Sequence, residues 1–337
     1  MPRVLAALDK FRGTASAPAA TAAGAVAATA AGWTCDQAPM SDGGEGMLDV
    51  FGGPNRVTDV TGPNGRLVSA AWRLDGATAI IESARACGLE LAGGAERNDP
   101  VNATTAGVGE LLTAALDAGA RHIVVGLGGS ATTDGGLGAL RAGPRPGRMK
   151  GVDLVVACDV ETLFVDAARV FAPQKGAKPS QVELLERRLA TLLDGYRNDY
   201  GVDLGDVAGA GAAGGLAGAL VVLGGRITPG IDAVADHVDF DDRVEEADLV
   251  VTGEGFLDAA SFAGKVVGGV VERASWVDKP VLVIVGDADD QGLAAAAACD
   301  PPPTVVSLTA RHGEAAARAH TEQLIEAEVA EFLRARL

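Results

Sequence analysis

The chain has 337 residues, of which 48% are apolar but only 4% are aromatic, and its formal net charge is −17. This length is typical of two domains, and the scarcity of aromatic residues implies a core of alanine, valine, leucine and isoleucine. The negative charge argues against a surface for nucleic acid or anionic membranes, so we expect neither as a partner.

Location and redox state are also indicated by the sequence. No segment approaches the length of a transmembrane helix, and the N-terminal apolar run is too short for a signal peptide. The four cysteines lie far apart without a CxxC pair, which favours reduced thiols over a zinc site. These features predict a cytoplasmic protein.

The first predicted element is a buried strand over residues 3–8, and a cluster of charged residues follows it. Asp9, Lys10 and Arg12 stand at the carboxyl end of this strand, where ligands bind in open α/β sheets. Ser16 then predicts the N-cap of an alanine-rich helix. The cluster is therefore a candidate binding site, and a solvated charged turn is the alternative.

A second turn of this kind, SDGGEG, runs from Ser41 to Gly46. A capping box between Ser41 and Glu45 explains part of it but leaves Asp42 unexplained, so Asp42 is a candidate catalytic residue. Short alternating runs separated by turn residues then predict antiparallel strands. We place a domain boundary near residue 55, where this pattern begins.

The segment GLGGSATTDGGLG, over residues 126–138, follows an apolar strand that begins at His122 and precedes a predicted helix. Its glycines let the backbone approach an anion, and a helix end offers free N–H groups. Ser130 and Thr132 add hydroxyl donors, and Asp134 adds a carboxylate that could hold a metal. We interpret the segment as a phosphate-binding loop, with a tight strand-to-helix turn as the alternative.

Further along, the strand VDLVVACDV ends at Asp159, and FAPQKGAKPS places Lys175 beside a glycine. An amphipathic helix is predicted from residue 180 to about residue 196. GAGAAGGLAGAL, over residues 209–220, matches G-x-G-x-x-G, but no apolar strand precedes it. A closely packed helix start is therefore favoured over a dinucleotide site there.

The C-terminal part of the chain returns to strands that alternate with helices. Glu254 stands at the glycine turn of ADLVVTGEG, Asp258 follows it, and Lys265 begins the next helix, where an anion would compensate its charge. The start of the chain has the same alternation. We predict an α/β fold with a doubly wound, flavodoxin-like domain from residues 1–54 plus 246–337, and an inserted mixed α/β domain from residues 55–245.

Several catalytic motifs are absent from the sequence. It has no P-loop pattern G-x-x-x-x-G-K-[ST], no kinase-type H-R-D or D-F-G set, and no G-x-S-x-G elbow. None of the four histidines pairs with a nearby nucleophile. The carboxylates and cations on glycine turns suit phosphoryl transfer, which depends on positioning, a metal and positive charge.

Seven motifs in order resemble those of bacterial type-1 glycerate kinases: DKFRG, SDGGEG, GLGGSATTDGG, VACDV, FAPQKGA, GAGAAGG and TGEGFLD…GK. The resemblance extends from Leu8 to at least Gly269. It implies two α/β domains and the phosphorylation of D-glycerate with ATP and Mg²⁺, and it favours 2-phosphoglycerate as the product.

The chain departs from the family pattern at three places. Lys10 and Arg12 occupy the first turn, where the family usually has serine and lysine. Ala259 and Ala260 stand where the family often carries a glutamine, which removes a hydrogen-bonding group. The loop over residues 141–151 is much shorter than the family norm.

The resemblance and the turns together assign roles to the site residues. The predicted nucleotide-binding residues are Gly128, Gly129, Ser130 and Thr132, and the predicted metal ligands are Asp134 and Asp159. The predicted substrate-binding residues are Asp9, Arg12, Lys175 and Lys265. The predicted catalytic residues are Lys10 and the acceptor of the hydroxyl proton, for which Asp42 is the first choice and Glu254 and Asp258 are the alternatives.

Two other functions stay open at this point. A dinucleotide-dependent oxidoreductase is suggested by G-x-G-x-x-G at Gly209 and by G-x-G-x-x-A at Gly126. Against it, the span after Gly126 holds a basic loop where an acidic strand end is required. A non-catalytic ligand-sensing module is the second alternative, although binding alone needs no metal-holding carboxylates.

Overall fold

A computed structural model describes residues 1–336 of the chain. Its strands are β1 (Arg3–Leu8), β2 (Thr34–Gln37), β3 (Arg56–Thr61), β4 (Leu67–Asp75), β5 (Thr78–Glu82), β6 (His122–Gly126), β7 (Asp153–Ala157), β8 (Arg226–Thr228), β9 (Leu249–Leu257), β10 (Val281–Ala288) and β11 (Thr304–Ser307).

The first eight helices in chain order are α1 (Ala17–Ala30), α2 (Met47–Val50), α3 (Ala84–Cys87), α4 (Ala106–Asp117), α5 (Leu137–Ala142), α6 (Ala167–Phe171), α7 (Pro179–Tyr200) and α8 (Ala212–Val222). They are followed by α9 (Gly230–His237), α10 (Phe240–Glu246), α11 (Val266–Trp276), α12 (Asp290–Ala297), α13 (Leu308–His312), α14 (Glu314–Ala319) and α15 (Thr321–Arg334). Short 3₁₀ turns cover Pro146–Met149, Phe164–Asp166, Pro173–Lys175 and Ala259–Phe262.

The chain divides into two compact units. Unit 1 contains residues 1–42 and the chain from residue 231 onward, and unit 2 contains residues 43–230. Both boundaries lie earlier than those predicted, after residue 54 and before residue 246. Residues 43–54 belong to unit 2 because Glu82 holds them there. Oε1 of Glu82 accepts hydrogen bonds from the N–H groups of Gly46 (3.0 Å) and Leu48 (2.8 Å).

The sheet of unit 1 has five parallel strands in the order β2, β1, β9, β10, β11. When the strands of unit 2 are left out, this is the 2-1-3-4-5 order of flavodoxin-like folds. The register pairs Leu8 with Gly253, and the N–H of Asp9 donates to the carbonyl of Gly253 (2.9 Å). Asp9 and Glu254 therefore lie side by side at the carboxyl end of the sheet.

Small side chains form the buried face of the first helix of unit 1. Helix α1 begins at Ser16, whose Oγ accepts a hydrogen bond from the N–H of Ala19 (3.3 Å), as the sequence predicts. The buried face of α1 is mostly alanine, and a Cβ placed on Gly24 would lie 3.6 Å from the Cβ of Ala6, an ordinary packing distance. The small side chains of α1 therefore let this helix pack closely on β1.

The sheet of unit 2 is mixed and follows the chain order from β3 to β8. Strands β3, β4 and β5 pair antiparallel, as the runs after residue 55 predict, and β5 to β8 pair parallel. Leu111, Ile123, Val156 and Leu216 belong to one buried cluster against this sheet. The α/β class is therefore confirmed, with one parallel and one mixed sheet.

Two glycine-rich segments of unit 2 lie backbone to backbone. Ala213, Gly214 and Gly215 have φ values of 52°, 72° and 91°, so the regular helix of α8 begins only after them. A Cβ on Gly214 would lie 2.1 Å from the carbonyl oxygen of Thr132, and the N–H of Gly135 donates to the carbonyl of Gly214 (3.0 Å). This contact is what a closely packed helix start requires.

The structure also bears on the expectations about the cysteines and about membrane-spanning helices. All four cysteines are free thiols, two of them buried. No helix within residues 1–336 combines the length and the apolar character needed to cross a membrane.

Substitution of Gly214 tests the backbone contact. We expect Gly214→Ala to lower the free energy of unfolding by at least about 2 kcal/mol, because alanine would be strained at this φ and would collide with Thr132. Gly195→Ala is the matched control, since nothing lies within 4 Å of that helical glycine. The control should gain up to about 1 kcal/mol. Equal stability of the two variants in urea unfolding would contradict the contact.

Candidate functional site

A pocket of about 570 Å³ opens at the carboxyl end of the unit 1 sheet, and all its lining residues belong to unit 1. Its charged side chains are Asp9, Lys10, Arg12, Asp42, Glu254, Asp258, Lys265, Asp287, Glu314 and Arg318. The pocket thus brings together the four predicted catalytic residues and three of the four predicted substrate-binding residues. Lys175 lies in unit 2.

Lys10 lies between two carboxylates of this pocket. Its Nζ is 3.2 Å from Oδ1 of Asp42 and 3.8 Å from Oδ1 of Asp9. Burial raises the pKa of Asp9 to about 6, although the Lys10 ammonium opposes the shift. Burial also opposes the charge of Lys10, but the two carboxylates outweigh it and raise the pKa of this lysine. Lys10 is therefore charged at neutral pH and holds Asp42 in an ion pair.

Glu254 has the features of a group that exchanges a proton. Its Oε1 is buried and has no hydrogen-bond partner in the part of the chain that the structure describes. Burial raises the pKa of Glu254 to about 7, and the neighbouring Asp9 adds to the shift while Ser261 and Lys265 oppose it. A carboxyl group with such a pKa gains or loses a proton near neutral pH.

Asp258 organises the turn that follows β9. Its Oδ1 accepts a hydrogen bond from the N–H of Ser261 (2.9 Å), and its own N–H donates to Oγ of Ser261 (3.0 Å). Ala259 and Ala260 are exposed within this capped turn. Lys265 is the N-cap residue of α11 and lines the pocket. Capping accounts for Asp258 structurally, and its catalytic role stays a prediction.

The predicted phosphate-binding loop of unit 2 shows two kinds of surface. Gly128 is half-buried and Gly129 is exposed, so their backbone is accessible. Ser130 and Thr132 are buried, and Oγ1 of Thr132 faces the carbonyl of Ala213 (3.4 Å). The two glycines are therefore available to a ligand, whereas the Thr132 hydroxyl is directed into the protein.

Lys175 is turned into unit 2 rather than toward solvent. Lys175 is only 4% exposed, and its Nζ donates to Oγ of Ser130 (2.8 Å) and to the carbonyl oxygen of Thr132 (2.6 Å). Burial lowers the pKa of Lys175 to about 8, while Cys87 and Asp134 oppose this shift. A direct contact with substrate would require this side chain to leave its position.

Asp134 also points inward, and its two oxygens are already engaged. They accept hydrogen bonds from the N–H and Oγ1 of Thr105 (both 2.9 Å) and from the N–H groups of Gly136 (3.0 Å) and Gly138 (3.1 Å). Burial raises the pKa of this carboxyl group. These bonds give Asp134 the role of shaping the loop, which does not fit a metal ligand.

Asp159 differs from Asp134 because it is only half-buried. It follows β7, and its Oδ1 accepts a hydrogen bond from the N–H of Gly230 (2.6 Å). No group of three or more metal-binding side chains occurs within residues 1–336. Magnesium, however, is commonly held by one or two carboxylates together with substrate phosphates, and Asp159 fits that pattern.

Some residues of these regions were missed from the sequence. Glu82 is buried at the end of β5, where it binds the 46–48 backbone and pairs with Arg85 (3.0 Å), and a lone acid after an apolar run could have revealed it. Asn98 donates through Nδ2 to the carbonyls of Ala131 and Lys175 (both 2.9 Å). No local pattern marks Asn98, because its partners are distant in the chain.

Comparisons with known proteins agree on one family. The chain matches the model of the glycerate kinase family over residues 4–143 and 144–336. It is 39% identical to glycerate 2-kinase of Escherichia coli, covering 76% of this chain and 77% of the relative, and 40% identical to glycerate kinase of Bacillus subtilis, covering 74% and 75%.

A solved structure is similar over the whole chain. A protein assigned as glycerate kinase 2 from Salmonella typhimurium LT2 matches with a TM-score of 0.83 and 31% identity. The match covers 100% of this chain and 99% of that one. Sequence and fold therefore point to the same family.

The role of Asp134 can be separated from metal binding by substitution. Asp134→Asn places an amide N–H₂ against backbone donors, so we expect the melting temperature to fall by roughly 5 °C without Mg²⁺ or nucleotide. Asp159→Asn is the control, because its amide oxygen still accepts from Gly230. If the melting temperature of Asp134→Asn is unchanged and its half-maximal activity requires a higher Mg²⁺ concentration, Asp134 is a metal ligand after all.

Proposed function

This chain belongs to the glycerate kinase family, and we propose that it transfers the γ-phosphoryl group of ATP to D-glycerate with Mg²⁺, giving 2-phosphoglycerate. The observation that carries the chemistry is the unit 1 pocket, where cations and a carboxyl group of raised pKa line the same space. Cations suit an anionic substrate, and the carboxyl group suits the removal of a hydroxyl proton.

We assign the glycerate carboxylate to Arg12 and Lys265. Both line the pocket, and Arg12 is exposed and so free to approach a ligand. Lys10 is less suited to this task because Asp9 and Asp42 already surround its ammonium. A guanidinium forms paired hydrogen bonds with a carboxylate, which would fix the orientation of the substrate.

Glu254 is the proton acceptor in this proposal, in preference to Asp42. The buried Oε1 of Glu254 has no partner within the described chain, whereas Asp42 is paired with Lys10. In the reaction the substrate O–H bond breaks and its proton moves to Glu254. The oxygen forms a bond to the γ-phosphorus, the bond between that phosphorus and the bridging oxygen breaks, and ADP leaves.

The nucleotide phosphates are assigned to the loop of unit 2, through the backbone of Gly128 and Gly129 and the hydroxyl of Ser130. The accessible glycine backbone supports this assignment. Asp159 would hold Mg²⁺ together with phosphate oxygens, and the ion would neutralise charge on the transferring group. Asp134 supports the same loop by accepting hydrogen bonds from Thr105, Gly136 and Gly138.

The oxidoreductase alternative rests on two motifs. The one over residues 209–214 ends in the segment that lies against the Thr132 carbonyl, so a dinucleotide could not approach that backbone closely. The one at Gly126 is followed by a basic loop where an acidic strand end is required. The ligand-sensing alternative does not explain why the pocket contains a carboxyl group with a raised pKa, Glu254, because binding alone needs no proton acceptor.

The function is tested by ADP formation from ATP and Mg²⁺ with D-glycerate, L-glycerate or no acceptor. We expect turnover with D-glycerate alone, and phosphorus NMR of the product should show the ester at the 2-position. Turnover no faster than the acceptor-free blank would refute the kinase assignment. A 3-phosphate ester would refute only the position.

The proton acceptor is tested by the pH profile of kcat. Because Glu254 must be ionised to accept a proton, we expect kcat to fall as the pH drops through about 7. Glu254→Gln should lower kcat by about 100-fold or more and remove this acidic limb.

Asp42→Asn is the comparison variant for the same profile. It keeps a hydrogen-bonding side chain beside Lys10 but removes the charge, so we expect the acidic limb to persist. If Asp42→Asn removes the limb and Glu254→Gln keeps it, Asp42 is the acceptor instead.

A further inference from the structure

The starting observation is a buried ammonium group without an ion pair. Lys175 is 4% exposed, and no carboxylate lies within salt-bridge distance of its Nζ among residues 1–336. Its neighbours are Oγ of Ser130, the carbonyl of Thr132 and the ring of Phe171, whose centroid is 6.0 Å away. Burying a charge without an ion pair costs free energy that hydrogen bonds only partly offset, so the position of this lysine calls for a functional explanation.

The chemistry of the two groups sets the direction of the hydrogen bond. An ammonium group has three protons and no lone pair, so it can only donate. The Ser130 oxygen must therefore accept from Lys175, and its own proton must point elsewhere. In this arrangement the serine is a donor to whatever lies on the side away from the lysine.

The backbone on both sides of this bond is held in place. The N–H of Leu89 donates to the carbonyl of Gly129 (2.7 Å), and the N–H of Ala131 donates to the carbonyl of Cys87 (2.8 Å), so Ser130 is fixed from both neighbours.

The lysine segment is held just as closely. Asn98 bonds the carbonyls of Ala131 and Lys175 with one amide group. Gly176, with φ of +93°, lies so close to Ala95 that a Cβ would be 2.1 Å from its carbonyl oxygen. The lysine and the serine thus meet at a position determined by the surrounding chain.

We infer that Lys175 is a positioning residue for the nucleotide: its ammonium orients the Ser130 hydroxyl so that the hydroxyl proton is presented to a phosphate oxygen. The same ammonium holds the Thr132 carbonyl away from the ligand, which keeps a repelling oxygen out of the anion site. This inference rests on the proposed binding of ATP phosphates by the loop. It replaces the predicted contact between Lys175 and substrate with an action through Ser130.

The test is a double-mutant cycle on ADP binding, measured by calorimetry with Mg²⁺ present. Lys175→Met and Ser130→Ala should each raise the Kd of ADP about tenfold. The double variant should have the same Kd as the single variants, because both substitutions remove the same interaction. The KM for ATP should rise with them, while the KM for D-glycerate stays unchanged. Lys178→Met, at an exposed lysine three residues further on, is the matched control and should change neither value.

If the losses of ADP-binding free energy in the two single variants add up in the double variant, the inference is overturned, since Lys175 would then contact the nucleotide directly. Melting curves must show that the variants fold, and Lys175→Gln replaces Lys175→Met if the latter does not. If neither folds, an unchanged Kd in Ser130→Ala overturns the inference. Loss of both turnover and ADP binding in the unsubstituted chain would instead remove the proposed function, and the inference with it.

Discussion

Close approach of two backbone segments is the constraint on which unit 2 depends. Gly214 touches the Thr132 carbonyl, and a Cβ on Gly136 would lie 2.2 Å from the Cβ of Ala219. Only glycine permits these distances. The predicted phosphate-binding loop owes its shape to this contact, because the carbonyl that touches Gly214 is the one that Lys175 holds from another side.

Buried polar side chains hold the predicted phosphate-binding loop in the shape that the glycines permit. Asp134 accepts four hydrogen bonds, two from Thr105 outside the loop and two from backbone N–H groups within it, and Lys175 donates one each to Ser130 and Thr132. The two charges are of opposite sign but do not form an ion pair. Each instead satisfies neutral backbone and hydroxyl groups, so the loop is held by directional bonds. In unit 1 the balance differs, because Glu254 keeps an oxygen without a partner in the described chain and so stays available for chemistry.

Sequence patterns predicted the parts of the fold that local order determines. The strand before Asp9, the cap at Ser16 and the antiparallel runs after residue 55 follow from periodicity and turn residues. The inward direction of Asp134 and Lys175 could not be predicted, because their partners Thr105 and Ser130 lie 29 and 45 residues away. For the same reason glycine turns revealed where a ligand could approach, but not which of the neighbouring charges faces it.

The central strand pair of unit 1 has a consequence for the order of events during synthesis. Val4 on β1 pairs with Leu249 on β9, and the Thr252 hydroxyl donates to the carbonyl of Ala7 (2.7 Å) across 245 residues of chain. Unit 2 is continuous and leaves the ribosome complete before β9 exists, so it can fold first. Strand β1 can pair with β2 as soon as β2 is made, but its other edge must wait for β9. Until the C-terminal strands emerge, that edge presents unpaired N–H and C=O groups to chaperones or to misassociation.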